Sequence, residues 1–330
     1  DGSSFTRNTI RNNNTYKFFN NKLRFNQTLN LTFSEATPKP YGAFSDAYRQ
    51  SPLVPVMYAN GRSGRPFVNR TTGVVTYERT AGQTVGSLNS IGNPVYAIGA
   101  NHELTKSTML QGGLEGEYKI AKFLKVTSRL GATKYYFRSR GFTDVKDGWL
   151  NADPTRTEAE FNALKTANPA VTTYANNSLS TSQQETFRWV WENFLTFQKK
   201  FGNHNIEAIA GMSREKVGIG NTIGGTGYDV PAKEQYWNIN LGSSAYQKTL
   251  NQTSFTPRAL ASYFGRVQYN YDNRYYLTAT LRRDGSSVFR ATEEYWGTFP
   301  AVGLGWTLSN ESFMRDVKWL DFLKVRANWG

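Results

Sequence analysis

Residues 261–287 read ASYFGRVQYNYDNRYYLTATLRRDGSS, and residues 299–330 read FPAVGLGWTLSNESFMRDVKWLDFLKVRANWG. In the first block Tyr263, Gly265, Val267, Tyr269 and Tyr271 share one side of an extended chain, and Phe264, Arg266, Gln268 and Asn270 share the other. Asp272-Asn273-Arg274 supplies turn chemistry. Beyond it Tyr275, Leu277, Ala279 and Leu281 alternate with Arg274, Tyr276, Thr278, Thr280 and Arg282. Period-two alternation over runs this long predicts paired strands with two different environments. In the second block Val302, Leu304, Trp306 and Leu308 alternate with Ala301, Gly303, Gly305, Thr307 and Ser309, which predicts a further strand. The segment SNESFMRDVKWLDF reads as a turn with helical character capped at Ser309 or Asn310, and LKVRANW begins a last strand.

Upstream the same alternation recurs. Residues 3–13 give a weak first strand, followed by the turn NTYKFFNN. Over 21–34, Leu23, Phe25, Leu29, Leu31 and Phe33 face one way, and Lys22, Arg24, Asn26, Thr28, Asn30 and Thr32 the other. A hairpin is predicted over about 107–119 and 123–137, ending in Tyr135-Tyr136-Phe137, a candidate interfacial girdle. Another spans 185–199 and 203–216. There Phe187, Trp189, Trp191, Leu195 and Phe197 oppose Arg188, Glu192, Thr196 and Gln198, with His204 in the turn. Large aromatics at alternate positions suit contact with lipid or its interface.

Between these hairpins the alternation lapses over about 35–107, 138–184 and 217–258, which predicts long loops. The first contains Tyr41, Phe44, Tyr48, Tyr58, Phe67 and Tyr77, enough aromatic surface to fold on itself. The second contains one helix signal, TRTEAEFNALKTANP. Thr155 or Thr157 is placed to cap it, Glu158 or Glu160 follows at capping-box spacing, Phe161 and Leu164 form a stripe, and Pro169 closes it. In the third, GIGNTIGGTGYD lacks the Lys-Ser/Thr of a phosphate-binding loop and reads as a flexible glycine-rich segment. Its aromatics Tyr228, Tyr236, Trp237 and Tyr246 suit ligand contact or internal packing equally.

Composition narrows the class. The 330 residues hold no cysteine and two histidines, His102 and His204, which rules out disulfides and Cys-based metal sites and leaves little for a triad. Mean hydropathy is −0.57, and no apolar run reaches the roughly 18 residues of a transmembrane helix. A transmembrane barrel alternates lipid-facing with lumen-facing residues and stays low on that scale. Aromatics at 15% suit its girdles. The net charge of +14 is carried by basic residues scattered singly along alternating strands, without the basic run that reads as nucleic-acid binding. They are expected to line a polar lumen and the rims, where anionic lipopolysaccharide is within reach.

The blocks ASYFGRVQYNYDNRYYLTATLRRDGSSVF, FPAVGLGW, ESFM and LKVRANWG resemble the SusC/RagA family of TonB-dependent outer-membrane transporters of Bacteroidetes. NPVYAIGANHELTKSTMLQGGLEGEYKIAKFLKV and WENFLTFQKKFGNHNIEAIAGMS resemble it more weakly. The resemblance implies an all-β fold, an antiparallel transmembrane barrel of about 22 strands around a plug. About ten of those strands, in five hairpins, are read here. It implies active import of oligosaccharide or peptide, no enzymatic activity and no cofactor. The implied partners are a SusD-like surface lipoprotein and the TonB energy-coupling complex, the latter through parts outside this chain. Arg282, Arg283, Asp284, Gly285, Ser286 and Ser287 match the family's RRDGSS block, with a strand-to-loop or a lumenal role. Phe187, Trp189, Trp191 and Trp306 are the expected lipid-facing girdle.

The chain opens DGSS with no secretory signal, resembles neither plug nor energy-coupling box, and reaches Gly330 within a strand. We therefore expect the early and middle part of a longer protein, unstable alone because its edge strands would be unpaired in hydrocarbon. Other readings that share these features are a passive porin, a subunit of a different outer-membrane assembly, and a soluble all-β glycan-binding protein. The last fits poorly with strands longer than the usual 5–6 residues.

Overall fold

The computed structural model describes residues 3–38, 40, 42–50, 55–57, 61, 67–68, 75–76, 93–151, 156–167, 177–292, 294–314 and 317–330. Four hairpins run in sequence: β1 (Ser4–Phe18) with β2 (Leu23–Thr37), β5 (His102–Ala121) with β6 (Leu124–Thr143), β7 (Ser178–Phe201) with β8 (His204–Tyr228), and β10 (Arg258–Tyr271) with β11 (Tyr275–Ser286). They are followed by β12 (Trp296–Thr307) and β13 (Lys324–Trp329). All join one antiparallel sheet in the order β1-β2-β5-β6-β7-β8-β10-β11-β12-β13, with β9 (Thr249–Ser254) beside the upper half of β8. Two short strands, β3 (Phe67–Val68) and β4 (Val75–Thr76), pair on their own within the first long connection.

The connections alternate in length. Residues 19–22, 122–123, 202–203 and 272–274 close one end, and the long segments lie at the other. The turn after Tyr271 is set by chemistry: Asp272 and Asn273 take φ of 51° and 55°, and the Arg274 N–H donates to the Tyr271 carbonyl at 2.9 Å. Two central residues at positive φ make a type I′ turn, whose twist matches the strands it joins. Phe19, Asn20 and Asn21 are likewise left-handed, at 54°, 52° and 63°.

The strands run further than their sequence pattern. Residues 14–18 belong to β1 and not to the first turn, and the loops shrink to 38–101 and 144–177. GIGNTIGGTGY is strand, not flexible loop: it forms the upper part of β8, laddered with β7 and β9. The β7–β8 register shifts between Phe187 and Trp189, opposite Gly218 and Gly220 at φ of 73° and 156°. A Cβ on Gly220 would sit 1.9 Å from the Glu185 carbonyl oxygen. This bulge lies where β9 and β10 are broken at residues 255–257, and the Phe255 N–H bonds to the Gly220 carbonyl at 2.9 Å.

The helices are α1 (Ala43–Arg49), α2 (Pro94–Gly99), α3 (Val145–Asn151) and α4 (Glu158–Ala167), all in long connections. α4 is the helix read from TRTEAEF. Thr157 and Glu160 form its capping box, with the Thr157 N–H donating to Glu160 Oε2 at 2.8 Å and the Glu160 N–H to Thr157 Oγ1 at 3.2 Å. Phe161 is buried against Trp149. Tyr41, Tyr58, Tyr77 and Pro169, and the side chain of Phe67, lie outside the described residues. Phe44 and Tyr48 are exposed. No described helix is long and apolar enough to cross a membrane.

Register sorts the side chains into two faces. On one, Leu195, Ala210, Gly265, Leu281 and Pro300 lie side by side across five strands, and Phe197, Ala208, Val267, Ala279 and Val302 form the next row. On the other, Thr196, Ile209, Arg266, Thr280 and Ala301 are neighbours. The first face is bounded by aromatics at both ends. Trp306 stacks towards Tyr275 at 6.5 Å, Tyr275 towards Tyr271 at 6.3 Å, and Tyr271 meets His204 at 4.8 Å. His204 Nδ1 is hydrogen-bonded to Tyr269 Oη at 2.7 Å. At the opposite end Trp296 stacks on Tyr263 at 5.8 Å. Trp296 and Trp306 are ten residues apart on β12, about 25 Å along the membrane normal at about 3.3 Å per residue and about 40° tilt. That is the height of a barrel's apolar band. Gly220→Ala should remove the bulge geometry and cost about 1–3 kcal/mol, read as a lower denaturant midpoint of the detergent-solubilised protein, with Gly265→Ala as a neutral control.

Candidate functional site: the inner face and its rims

Alternation puts every second side chain of the wall on the inner face, and the register aligns them into rows. One row crosses nine strands: Thr15, Asn26, Glu115, Arg129, Glu192, Ser213, Ser262, Asp284 and Gly297. Its polar groups are linked. Thr15 Oγ1 donates to Asn26 Oδ1 at 2.8 Å, and Asn26 Nδ2 donates to Glu115 Oε1 at 2.8 Å. Arg129 donates to Glu115 at 2.7 and 2.8 Å and reaches Glu192 at 3.5 Å. Further along, Arg282 Nε donates to both Asp284 oxygens at 2.8 Å, and its Nη2 donates to Ser262 Oγ at 3.1 Å. These pairs are partly exposed, so each contributes roughly 0.2–1 kcal/mol. Their consequence is positional: they hold a belt of oriented donors and acceptors along one row of the sheet.

The adjacent row places aromatic rings beside the cations. Phe194, Gly211, Phe264, Arg282 and Phe299 are neighbours, with Arg282 over Phe264 at 5.9 Å and Arg129 over Phe194 at 5.5 Å. A Cβ on Gly211 would meet Phe194 at 2.6 Å and Phe264 at 2.9 Å; its absence lets the rings close over the strand. Above this row a cavity of about 690 Å³ is lined by Arg282, Asp284, Ser262, Glu215, Tyr295 and Phe299 among others, within the usual range for small-ligand sites.

The six signature residues therefore divide. Arg282, Asp284 and Ser286 face inward. Arg283 and Gly285 face outward, where Trp296 covers Gly285 and lies 5.4 Å from the Arg283 guanidinium. Ser287 opens a 3₁₀ turn, Ser287–Thr292, and its Oγ accepts from the Ala259 N–H at 2.9 Å. The cluster Tyr135-Tyr136-Phe137 divides too: Tyr135 and Phe137 stack inside, so only Tyr136 belongs to the outer face.

Of the four loop aromatics, Trp237 is a packing residue. It stacks on buried Phe142 at 4.7 Å and meets His102 at 6.0 Å, beside the core of Phe142, Leu179 and Val230. Arg140 sits over it at 5.2 Å and pairs with Glu234 at 2.8 Å. Tyr236 is exposed, and Tyr228 and Tyr246 are half-buried. Of the expected girdle, Phe187, Trp189 and Trp191 share the outer face of β7, with Trp191 Nε1 donating to Ser128 Oγ at 3.1 Å.

Trp306 carries a second function at the short-turn end. Its Nε1 donates to Glu311 at 3.0 Å, and Arg274 donates to the same carboxylate at 3.1 Å. Glu311 is buried, and the hydrogen bond from Trp306, then that from Tyr275, then the Arg274 charge hold its carboxyl below the ordinary range. The sequence pointed to none of Glu115, Arg129, Glu192 or Glu311 individually. The usable signal was opposite charge at inward positions of neighbouring strands, which needs the register.

No family model matches the chain. TonB-dependent receptor P3 of Formosa agariphila is 36% identical over 141 residues, 42% of this chain and 14% of that receptor. TonB-dependent receptor SusC of Bacteroides thetaiotaomicron is 34% identical over 138 residues, 42% of this chain and 13% of that receptor. The matched stretch thus spans about a seventh of these relatives. Among solved structures, the RagAB peptide importer in its open-open state superimposes with a TM-score of 0.69 at 15% identity, over 99% of this chain and 32% of the solved chain. A stretch of about 140 residues is therefore similar to TonB-dependent receptors that include SusC, and the sheet has the fold of part of the RagAB importer's antiparallel barrel.

Two outcomes follow. A folded pKa below the unfolded value means that Glu311 contributes stability above the ordinary carboxylate pKa and loses it as pH falls through the depressed one. The stability gap between wild type and Glu311→Gln should be constant near neutrality and close in acid, as read by denaturant titration in micelles. Trp237→Ala should destabilise the loop by less than the about 3–5 kcal/mol of a fully buried Trp→Ala, since Trp237 is half-buried, read as faster proteolysis near residues 229–257 with the barrel ladder still protected from hydrogen exchange.

Proposed function

We propose that this chain is a section of the wall of an outer-membrane transporter that imports oligosaccharide or peptide, driven by TonB and assisted by a SusD-like surface lipoprotein. The observation that carries the reading is the pairing of homology with geometry. The stretch homologous to the receptors belongs to a sheet whose outer face is apolar between two aromatic rows and whose inner face is polar. The 330 residues then form part of one barrel domain with extracellular loops, whose plug and remaining strands come from elsewhere in the protein. The relatives are receptors and transporters, and the role is transport rather than catalysis.

In this reading the belt from Thr15 to Asp284 faces the plug or the transport path, and the cavity at Arg282 and Asp284 is a resting place for cargo. Tyr228, Tyr236 and Tyr246 are the loop aromatics left to meet cargo or lid, once Trp237 is committed to packing. Phe187, Trp189, Trp191 and Trp306 anchor the wall in lipid. The lipid-height band of β12 favours a membrane wall over a soluble glycan-binding sandwich, since no soluble fold leaves such a face to water at low cost.

The test is uptake in cells carrying the full-length protein. Panels of labelled oligosaccharides and peptides should accumulate only when the inner-membrane energy-coupling complex is intact, and a lipoprotein-sized partner should copurify. Uptake that persists without the coupling complex would contradict active import and identify a passive pore. No uptake together with a different copurifying assembly would assign the wall to another outer-membrane machine.

A further inference from the structure

Cations on both faces are paired in some places and unpaired in others, and three unpaired ones cluster on the outer face. Inside, Arg24, Lys125, Arg129, Arg266 and Arg282 each lie 2.7–3.7 Å from a carboxylate. Outside, Lys106 and Lys134 pair with Glu35 and Glu185, each at 2.9 Å. Arg214, Lys216 and Arg283 differ. They are exposed, all on the outer face, and none pairs with a carboxylate among the described residues.

Register brings the three together around a floor of small side chains. Lys216 is beside Ala259, and Arg214 is beside Ala261, which is beside Gly285. Arg283 is beside Tyr263 on the next row and rests on Trp296. Trp191 flanks Arg214 on the other side. Their partners Tyr263, Ala261 and Ala259 are eight, ten and twelve residues from Tyr271 in the aromatic row at the short-turn end, so the cations stand about 20–30 Å above that row. That is headgroup level on the long-loop side.

Directly below them the outer face is hollow. Ala208, Ala210, Gly265 and Ala279 floor an apolar depression of about 430 Å³ between Leu195 and Leu281. A bare wall of bulky side chains would be smooth to lipid. Here the small residues open a slot; Arg283 stands one outward row above it beside Tyr263, and Arg214 and Lys216 stand two and three rows above.

We propose that Arg214, Lys216 and Arg283 with the slot beneath them form a docking site for a phosphorylated glycolipid of the outer leaflet. The cations hold the headgroup phosphate by charge-assisted hydrogen bonds, Trp191 and Trp296 flank the sugar, and one acyl chain lies in the slot. The inference rests on the reading of these strands as an outer-membrane wall. It assigns part of the +14 charge to a lipid ligand rather than to cargo.

The test is native mass spectrometry of the full-length protein in detergent, titrated with bis-phosphorylated lipid A, dephosphorylated lipid A and phosphatidylglycerol, after a heat-modifiability gel. Wild type should prefer bis-phosphorylated lipid A. R214Q/K216Q/R283Q should lose on the order of a hundredfold in affinity for it, at about one surface-cation contribution per residue. A279F, which fills the slot, should weaken it as well, and K106Q/K199Q should not. Equal binding by the triple variant, or no preference for lipid A over its dephosphorylated form or over phosphatidylglycerol, would overturn the site and leave the barrel intact. A protein that stays soluble without detergent and shows no heat-dependent mobility shift would overturn the barrel reading and the site with it.

Discussion

Hydrocarbon supplies no hydrogen-bond partner to a peptide group, and the rest of this structure follows from that constraint. A sheet satisfies it only by continuous antiparallel ladders; those that join β11 to β10 and β12 run across the apolar band, and β13 ladders with its lower part, Val302–Thr307. Ladder geometry then forces side chains to alternate, so each residue faces either lipid or interior. Within such a wall one sequence encodes two surfaces at once, which is why Arg282 and Arg283, adjacent in the chain, answer to different solvents.

Those two surfaces manage charge differently. The inner face is a mosaic of paired ions and hydrogen-bonded amides in rows, exposed enough that no single pair decides stability but ordered enough to present a fixed pattern. The outer face tolerates cations only near the ends of the apolar band, where long side chains reach polar surroundings. Aromatic rings mark the same two levels, and Glu311 locks the lower one by joining Trp306, Arg274 and the residue 308–323 connection. Beyond the upper level the strands continue, and the loop carrying Trp237 packs its own small core against Phe142 and Leu179.

Much of this was legible in the sequence. The hairpin at 258–286 was, because large and polar residues alternate without interruption and Asp272-Asn273 favours the left-handed turn. The capping box of α4 was as well, since Thr157 and Glu160 satisfy each other locally. The upper halves of β7 and β8 were not. Above the membrane neither face meets lipid, so alternation ends at about Phe187 and a run such as GIGNTIGGTGY reads as loop although its backbone is laddered from Ile219 onward. The belt was hidden for a different reason: Glu115, Arg129 and Glu192 look like isolated surface charges until register sets them side by side. The role of Trp237 was equally open, because a loop aromatic with no periodicity gives no sign of what it packs against.

The most direct measurement uses the absence of cysteine. Single cysteines at consecutive positions of β10 and β11 in the full-length protein, spin-labelled in bilayers, would report collision with oxygen in lipid against a water-soluble nickel complex. A membrane wall gives a strict two-residue period, with Val267, Ala279 and Leu281 oxygen-accessible and Arg266, Thr280 and Arg282 not. Labels that show no such period, or that meet the nickel complex equally on both faces, would contradict a membrane wall.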